Sequence, residues 1–227
     1  MNISLDQFQQ EGFLLIPEVF KKAELQDLIH EVEALAGETP HSGIRHTQKT
    51  LASSNRLISD QRIKDLCQSI LGPDHQLVRA ILFDKRVDRN WGVLWHQDKT
   101  IAVDKKTDIP NWGPWSIKAN VHHVQPDISV LEKMLTIRIH LDEAKIDNGC
   151  LKVISGSHKN GILTQGQIER TISDNEITFC EANTGDTLLM RPHILHSSNK
   201  MTAGLHRRIL HLEFSSYQLP AGLNWAQ

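Results

Sequence analysis

The stretch LTIRIHL, residues 135–141, alternates aliphatic residues with Thr136, Arg138 and His140. Side chains of a β-strand point alternately to the two faces of its sheet, so this stretch predicts a strand with one apolar and one polar face. The apolar face requires a core to cover it. The polar face either meets solvent or lines a pocket, and the alternation by itself leaves both interpretations open.

Similar short strands are predicted on both sides of this stretch. Apolar and β-branched runs separated by Gly, Pro, Asn and Asp predict strands near 77–86, 92–96, 134–142, 151–154, 176–181, 186–191 and 207–215. Asp147-Asn148-Gly149 is a strong turn signal between two of them. Strands of this length and spacing are typical of a β-barrel or β-sandwich.

The first 72 residues favour helices instead. Ser4 with Gln7 forms a helix start that Gly12 ends, and apolar residues at helical spacing predict helices over 21–36, before Gly37, and over about 60–71. We therefore expect a single domain over residues 1–227, with a helical part of about 1–72 packed on a β-barrel of about 76–215. The stretch 100–133 has few strand signals and is predicted to be a long loop that acts as a lid.

Composition excludes several function classes. The chain has 227 residues, a net charge of -2 and 39% hydrophobic residues, which is enough for one full core and lacks the basic footprint of a nucleic-acid binder. The first residues lack the pattern of a signal peptide and no apolar run is long enough to span a bilayer. We expect a cytoplasmic protein without nucleic-acid or membrane partners, whose three cysteines stay reduced.

A candidate metal site begins at Trp95-His96-Gln97-Asp98. A His and an Asp two residues apart on an extended segment point to the same side, where an imidazole and a carboxylate can bind one divalent metal. The facial triad of non-heme iron proteins needs one more histidine. Residues 190–199, MRPHILHSSN, supply two candidates in His193 and His196.

Two arginines follow on the next predicted strand, Arg207 and Arg208. A guanidinium beside a metal suits a dicarboxylate cosubstrate, because arginine gives a carboxylate two parallel hydrogen bonds and a permanent positive charge. The alternative is that at least one of the pair is a solvated charge on an edge strand.

In their order along the chain, these segments resemble the phytanoyl-CoA dioxygenase family, which also includes ectoine hydroxylase. The resemblance covers roughly residues 5–215 and includes one departure, Ser155 where the family usually has proline. It rests on LFDK at 82–85, WHQD at 95–98, DNGCLKVISGSHK at 147–159, Gly185-Asp186, and His196 followed by Ser198 and Arg207.

The resemblance implies a mainly β fold with flanking helices, a double-stranded β-helix or cupin-like jelly-roll barrel. It implies an Fe(II)- and 2-oxoglutarate-dependent dioxygenase that consumes O2, releases succinate and CO2, and is assayed with ascorbate. Iron would be held by His96, Asp98 and His196, and 2-oxoglutarate by Arg207 and Ser198. The resemblance implies that His196, and not His193, is the second histidine ligand, and that Arg207, and not Arg208, binds the cosubstrate. Arg138 stands where the family often has tryptophan, and is interpreted as a cosubstrate or acidic-substrate contact, or as a solvent-facing residue.

The substrate is left open by the sequence. An intact Asp98 favours hydroxylation, since related halogenases lack this carboxylate, while desaturation and ring formation stay open. Trp112, Trp115 and Lys85 are predicted to contact a small-molecule substrate, with ordinary core packing as the alternative for the tryptophans. Two other functions remain: a non-oxidative cupin-like metal protein (an isomerase or hydrolase), and an inactive binding module. The oligomeric state is not readable.

Overall fold

The computed structural model describes residues 4–35, 43–118, 120–204 and 206–226. The strands in these ranges are β1 Phe13–Ile16, β2 Ile44–Arg45, β3 Gln76–Arg86, β4 Val93–His96, β5 Ile101–Val103, β6 Trp115–Lys118, β7 Val121–Val124, β8 Met134–His140, β9 Leu151–Ile154, β10 Ile177–Cys180, β11 Thr187–Met190, β12 His196–Ser198 and β13 His206–Ser215. Each of the predicted strands is confirmed to within about two residues at either end.

The helices in these ranges are α1 Leu5–Glu11, α2 Lys22–Ala34, α3 Thr47–Thr50, α4 Ala52–Ile58, α5 Gln61–Leu71, α6 Ile128–Glu132 and α7 Gln165–Asp174. The predicted start and end of α1 are confirmed. The Ser4 hydroxyl accepts from the amide of Gln7, and Gly12 closes the helix at φ 80°. The predicted helices over 21–36 and 60–71 correspond to α2 and α5, while residue 36 and Gly37 lie outside the described residues.

A major sheet of six strands, in the order β1-β11-β8-β13-β3-β2, carries the helices on one face. Five aliphatic residues point to this face and are fully buried with Leu25, Leu28 and Leu66 of the helices: Leu135, Ile137 and Ile139 of β8, and Leu210 and Leu212 of β13. Burying an aliphatic side chain of this size contributes about 1.5–3 kcal/mol, so this row fixes which way β8 faces. The opposite face of β8 carries Thr136, Arg138 and His140, all buried.

A smaller sheet, in the order β10-β9-β12-β4, lies across a cavity from that polar face. Phe83, Arg138 and His211 line the cavity from the major sheet, and Leu151 and Ser198 line it from the smaller one. Arg138 therefore faces an internal chamber. The solvent-facing interpretation of Arg138 is wrong, because the smaller sheet covers this face of β8. The strands of that sheet are distant in sequence, so the alternation along β8 cannot reveal them.

The prediction of a long loop over 100–133 is wrong. This stretch contains β5, β6, β7 and α6, and the three strands pair in the order β5-β7-β6. The strands are only three or four residues long and β7 reads VHHV, which hides the alternation that sequence analysis relies on. Their hairpin forms part of the rim of the cavity.

Two composition-based expectations concern features outside the chamber. Among the described helices, none combines the length and the apolar character that crossing a bilayer would require. Cys67, Cys150 and Cys180 are buried free thiols, as predicted.

Candidate metal and cosubstrate site

His96 and His196 face each other across the pair formed by β4 and β12, where they are Cα partners. Their ring centroids are 4.2 Å apart. Asp98 lies two residues past His96, with its carboxylate oxygens 3.4 Å from Nε2 of His96 and 3.5 Å from Nε2 of His196. The three donor atoms lie within 4.8 Å of one another, so one metal ion can contact all of them.

Backbone contacts select the ring nitrogen that each histidine presents. Nδ1 of His96 lies 2.8 Å from the carbonyl oxygen of Leu94, and Nδ1 of His196 lies 2.8 Å from that of Ile194. A carbonyl oxygen only accepts, so each Nδ1 carries the hydrogen and each Nε2 keeps its lone pair towards Asp98. This is the arrangement by which proteins orient histidines for metal binding.

The protonation states fit the same role. Burial lowers the pKa of His196 to about 4, which keeps its imidazole neutral at pH 7. Burial would raise the pKa of Asp98, but the two neighbouring imidazoles outweigh it and hold that pKa far below its usual range. Burial would lower the pKa of His96, but the hydrogen bond and charge of Asp98 outweigh it and raise that pKa, so a metal ion bound there would replace a proton on its Nε2. Two imidazole nitrogens and one carboxylate form the donor set typical of non-heme iron(II) sites.

Deeper in the chamber, two guanidinium groups lack the partners that buried charges normally have. Arg207 is 4% exposed and Arg138 is 6% exposed. Nε and Nη1 of Arg207 and Nε of Arg138 have no hydrogen-bond acceptor. Buried polar groups are nearly always satisfied, so unpaired donors on two arginines indicate a site for an anion. Burial lowers the pKa of Arg207 to about 9, assisted by the charge of Arg138.

Ser198 lines the same cavity as Arg207, and its hydroxyl is hydrogen-bonded by Lys85. The ammonium of Lys85 donates to the carbonyl oxygen of Asn199 at 2.7 Å and to the hydroxyl of Ser198 at 3.4 Å. Because that hydroxyl accepts from Lys85, its own hydrogen is free to donate into the cavity. Lys85 is completely buried and does not line the cavity, so the structure gives its predicted contact with substrate no support.

A chain of hydrogen bonds connects the chamber with its mouth. Nη1 of Arg138 lies 3.0 Å from Nδ1 of His211, Nε2 of His211 lies 3.2 Å from Glu213, and Glu213 accepts from Arg79 at 2.9 Å. Sequence analysis missed the last three residues. His211 and Glu213 lie on the same face of β13 as Arg207, so alternation along that strand would have found them. Arg79 reaches this face as the Cα partner of Glu213, and that pairing is not visible in the sequence.

Gln97 fixes the segment that leads into His196. Its amide nitrogen donates to the carbonyl oxygens of Gly161 and His193, at 2.8 and 2.7 Å, and its amide oxygen accepts from the Leu163 amide. His193 itself points away from the cavity, is 1% exposed, and burial lowers its pKa to about 4. The metal-ligand group includes His196 and omits His193.

The remaining residues singled out in the sequence lie elsewhere. Trp112 and Trp115 pack against a second apolar cluster and do not line the cavity, which fits the core alternative and corrects the prediction of substrate contact. Arg208 points to the outer face of the major sheet, where it is bound by Asp142 and Glu33. The solvated edge-strand interpretation is therefore wrong for Arg208, since β13 is an interior strand.

Comparison with known proteins gives this geometry a context. The family model described as phytanoyl-CoA dioxygenase matches residues 8–209. A methylphosphonate hydroxylase from Gimesia maris is 24% identical over 234 residues, covering 93% of this chain and 79% of that protein.

Two solved structures are similar in fold over most of the chain. EctD from S. alaskensis with bound Fe has a TM-score of 0.71 at 17% identity, covering 93% of this chain and 75% of that one. HygX from Streptomyces hygroscopicus, with nickel and 2-oxoglutarate bound, has a TM-score of 0.66 at 17% identity, covering 94% of this chain and 87% of that one. The expected jelly-roll architecture is confirmed, and the chain is a member of the phytanoyl-CoA dioxygenase family.

Proposed function

We propose that the chain is an Fe(II)- and 2-oxoglutarate-dependent dioxygenase that hydroxylates a small molecule. The observation that carries this proposal is the pairing, in one cavity, of a His-Asp-His donor set with two buried arginines that have unused donors. A metal site alone would suit an isomerase or hydrolase. The unpaired guanidinium of Arg207 adds the receptor for an anionic cosubstrate.

The residues divide into two roles. His96, Asp98 and His196 would hold the iron on one side, which leaves coordination positions open for other ligands. Arg207 would bind a carboxylate of 2-oxoglutarate with two hydrogen bonds, Ser198 would add a third, and Arg138 would supply a second positive charge. When bound, iron and 2-oxoglutarate supply the oxidising power to place an oxygen atom from O2 in a C–H bond, with release of succinate and CO2.

The cavity and the relatives favour a small substrate. The cavity has a volume of about 230 Å³, below the roughly 300–1,000 Å³ usual for ligand pockets, and it must also accept the cosubstrate. The relative from Gimesia maris is a methylphosphonate hydroxylase, and methylphosphonate is a molecule small enough for such a cavity.

Binding and turnover test the proposal separately. Anaerobic protein with Fe(II) should develop the visible absorption of chelated 2-oxoglutarate when the cosubstrate is added, and air should then convert it to succinate. His96→Ala should lose the metal. Arg207→Ala should keep the metal but bind 2-oxoglutarate at least tenfold more weakly. His75→Ala, a histidine remote from the cavity, is the matched control and should retain both. A folded protein that binds metal but never 2-oxoglutarate would refute the proposal.

A further inference from the structure

The mouth of the cavity carries a set of cations that the iron and cosubstrate roles do not use. Arg45 comes from β2, Arg79 from β3 and Lys118 from β6, and all three line the cavity. Strand pairing explains the convergence. Arg45 is the Cα partner of Ile81, two residues from Arg79 on the same face. Lys118 lies two residues from Ser116, the Cα partner of His123, so Lys118 and His123 share a face of their hairpin.

His123 lies among these cations. It is 7% exposed, its Nδ1 has no hydrogen-bond partner, and it lines the cavity. Burial, with smaller contributions from the charges of Arg79, Lys118 and Arg45, lowers its pKa to about 4. A neutral imidazole with an unused ring nitrogen is suited to hydrogen bonding with a ligand.

The negative charge at the mouth does not balance the positive charge. Glu213 is the one carboxylate of the described lining residues near His123, and it is already engaged by Arg79 and His211. Within the described ranges, Arg45 and Lys118 have no carboxylate within ion-pair distance. Two uncompensated cations and a neutral hydrogen-bonding group therefore surround the entrance to the metal chamber.

We infer that this mouth binds the substrate through a doubly charged phosphonate or phosphate group, so that the enzyme acts on small organic molecules of this class. This inference rests on the proposed function. A tetrahedral dianion offers three oxygens, which matches two guanidinium or ammonium groups and one imidazole better than a single carboxylate does. The small cavity then limits how far the reacting C–H bond can lie from the charged group.

The test compares charge at nearly constant size. Anaerobic protein loaded with Mn(II) and 2-oxoglutarate is titrated with methylphosphonate, methyl phosphate, propionate and the neutral dimethyl ester of methylphosphonate, using calorimetry. The aerobic Fe(II) protein is then assayed for succinate release with each compound. We expect the two dianions to bind at least tenfold more tightly than propionate and the ester, and at least one of them to stimulate succinate release.

Variants locate the binding site. Arg45→Gln combined with Lys118→Gln should weaken dianion binding at least tenfold. Both residues are exposed, so the fold should tolerate the change. Lys64→Gln removes an equally exposed cation from α5, on the far side of the major sheet, and should leave dianion binding unchanged.

Each outcome is informative about a different claim. A protein that does not bind 2-oxoglutarate would refute the proposed function itself. A protein that binds 2-oxoglutarate but responds equally to dianion, carboxylate and ester would overturn only the substrate class. So would dianion binding that survives the loss of Arg45 and Lys118.

Discussion

Arg138 donates a hydrogen bond of 3.0 Å to Nδ1 of His211, and this contact fixes which ring nitrogen of the imidazole carries the hydrogen. A guanidinium has no acceptor, so Nδ1 must accept and Nε2 must carry the hydrogen that it donates to Glu213 at 3.2 Å. Arg79 closes the chain on the other side of that carboxylate. The orientation of the Arg138 guanidinium thus depends, through His211, on the carboxylate of Glu213 at the mouth of the cavity.

Removing the acceptor on His211 should release Arg138. His211→Phe keeps the ring shape but leaves a buried guanidinium and a buried carboxylate each short of one partner, so we expect the free energy of unfolding to fall by about 1–3 kcal/mol. The affinity for 2-oxoglutarate should fall as well. Urea unfolding and anaerobic 2-oxoglutarate titration measure the two effects.

His211→Asn is the matched control, because its amide oxygen can occupy the place of Nδ1 and accept from Arg138. It should retain most of the 2-oxoglutarate affinity. If His211→Asn and His211→Phe lose the same amount, the hydrogen bond does not orient Arg138 as argued.

Arg207 and Arg208 are adjacent on β13, and their substitution should have opposite consequences. Arg207 is buried with unpaired donors, so Arg207→Met should leave the free energy of unfolding unchanged or raise it while abolishing measurable 2-oxoglutarate binding. Arg208→Met leaves Asp142 and Glu33 without their partner and should cost about 1–3 kcal/mol, with 2-oxoglutarate affinity unchanged. Thermal unfolding and cosubstrate titration measure the two effects. If both variants lose the same stability and the same 2-oxoglutarate affinity, the two arginines do not have these different roles.

The different environments of Arg207 and Arg208 show what a sequence can and cannot specify. Adjacent residues of a strand lie on opposite faces, as Arg207 and Arg208 do, and alternation likewise places Arg138 opposite the aliphatic residues of β8. Which face becomes a chamber depends on β9, β12 and β4, which pair across distant parts of the chain. Before the structure, only the family resemblance indicated which face of the strand lines the cavity.

Local signals also fail where strands are short. Arg45 reaches the cavity through β2, a strand of two residues that owes its position to pairing with β3, so nothing in its neighbourhood predicts it. His122 and His123 make a poor pair of metal ligands, because adjacent residues on a strand point to opposite faces. That reasoning is correct for a metal pair, but it hides a single histidine that faces the cavity.

Gln97 should be a positioning residue for the metal ligands. Gln97→Leu has similar size but leaves the backbone groups of Gly161, Leu163 and His193 without partners, at roughly 1–3 kcal/mol for each such group. Because these contacts hold the segment next to His196 against the His96–Asp98 segment, iron affinity should fall about 10–100-fold.

Metal affinity is measured well below the unfolding temperature, by competition with a chelator, so that stability and positioning are separated. Gln61→Leu on α5 is the control, since that side chain is exposed and hydrogen-bonds to Asp65 on the same helix. A Gln97→Leu protein that is less stable but binds iron normally would show that Gln97 supports the fold alone.

His140 predicts how stability depends on pH. Its Nδ1–H donates to the carbonyl oxygen of Asp186 at 3.1 Å, and burial, with Arg138 adding to it, lowers its pKa to about 3. The unfolded chain has an ordinary histidine pKa of about 6.5, so between these two values the unfolded state binds more protons and stability falls as the pH falls. This contribution is complete above about pH 6.5 and is lost progressively below it, by up to about 1.4 kcal/mol per pH unit.

His140→Asn removes this titration while keeping a donor near the position of Nδ1. Other buried histidines and ion pairs also titrate, so the quantity to compare is the difference in unfolding free energy between wild type and variant, measured with urea from about pH 5 to about pH 8. The wild-type protein should lose stability relative to His140→Asn as the pH is lowered through this range. Parallel pH profiles would mean that His140 accepts a proton in the folded state, contrary to its burial beside Arg138.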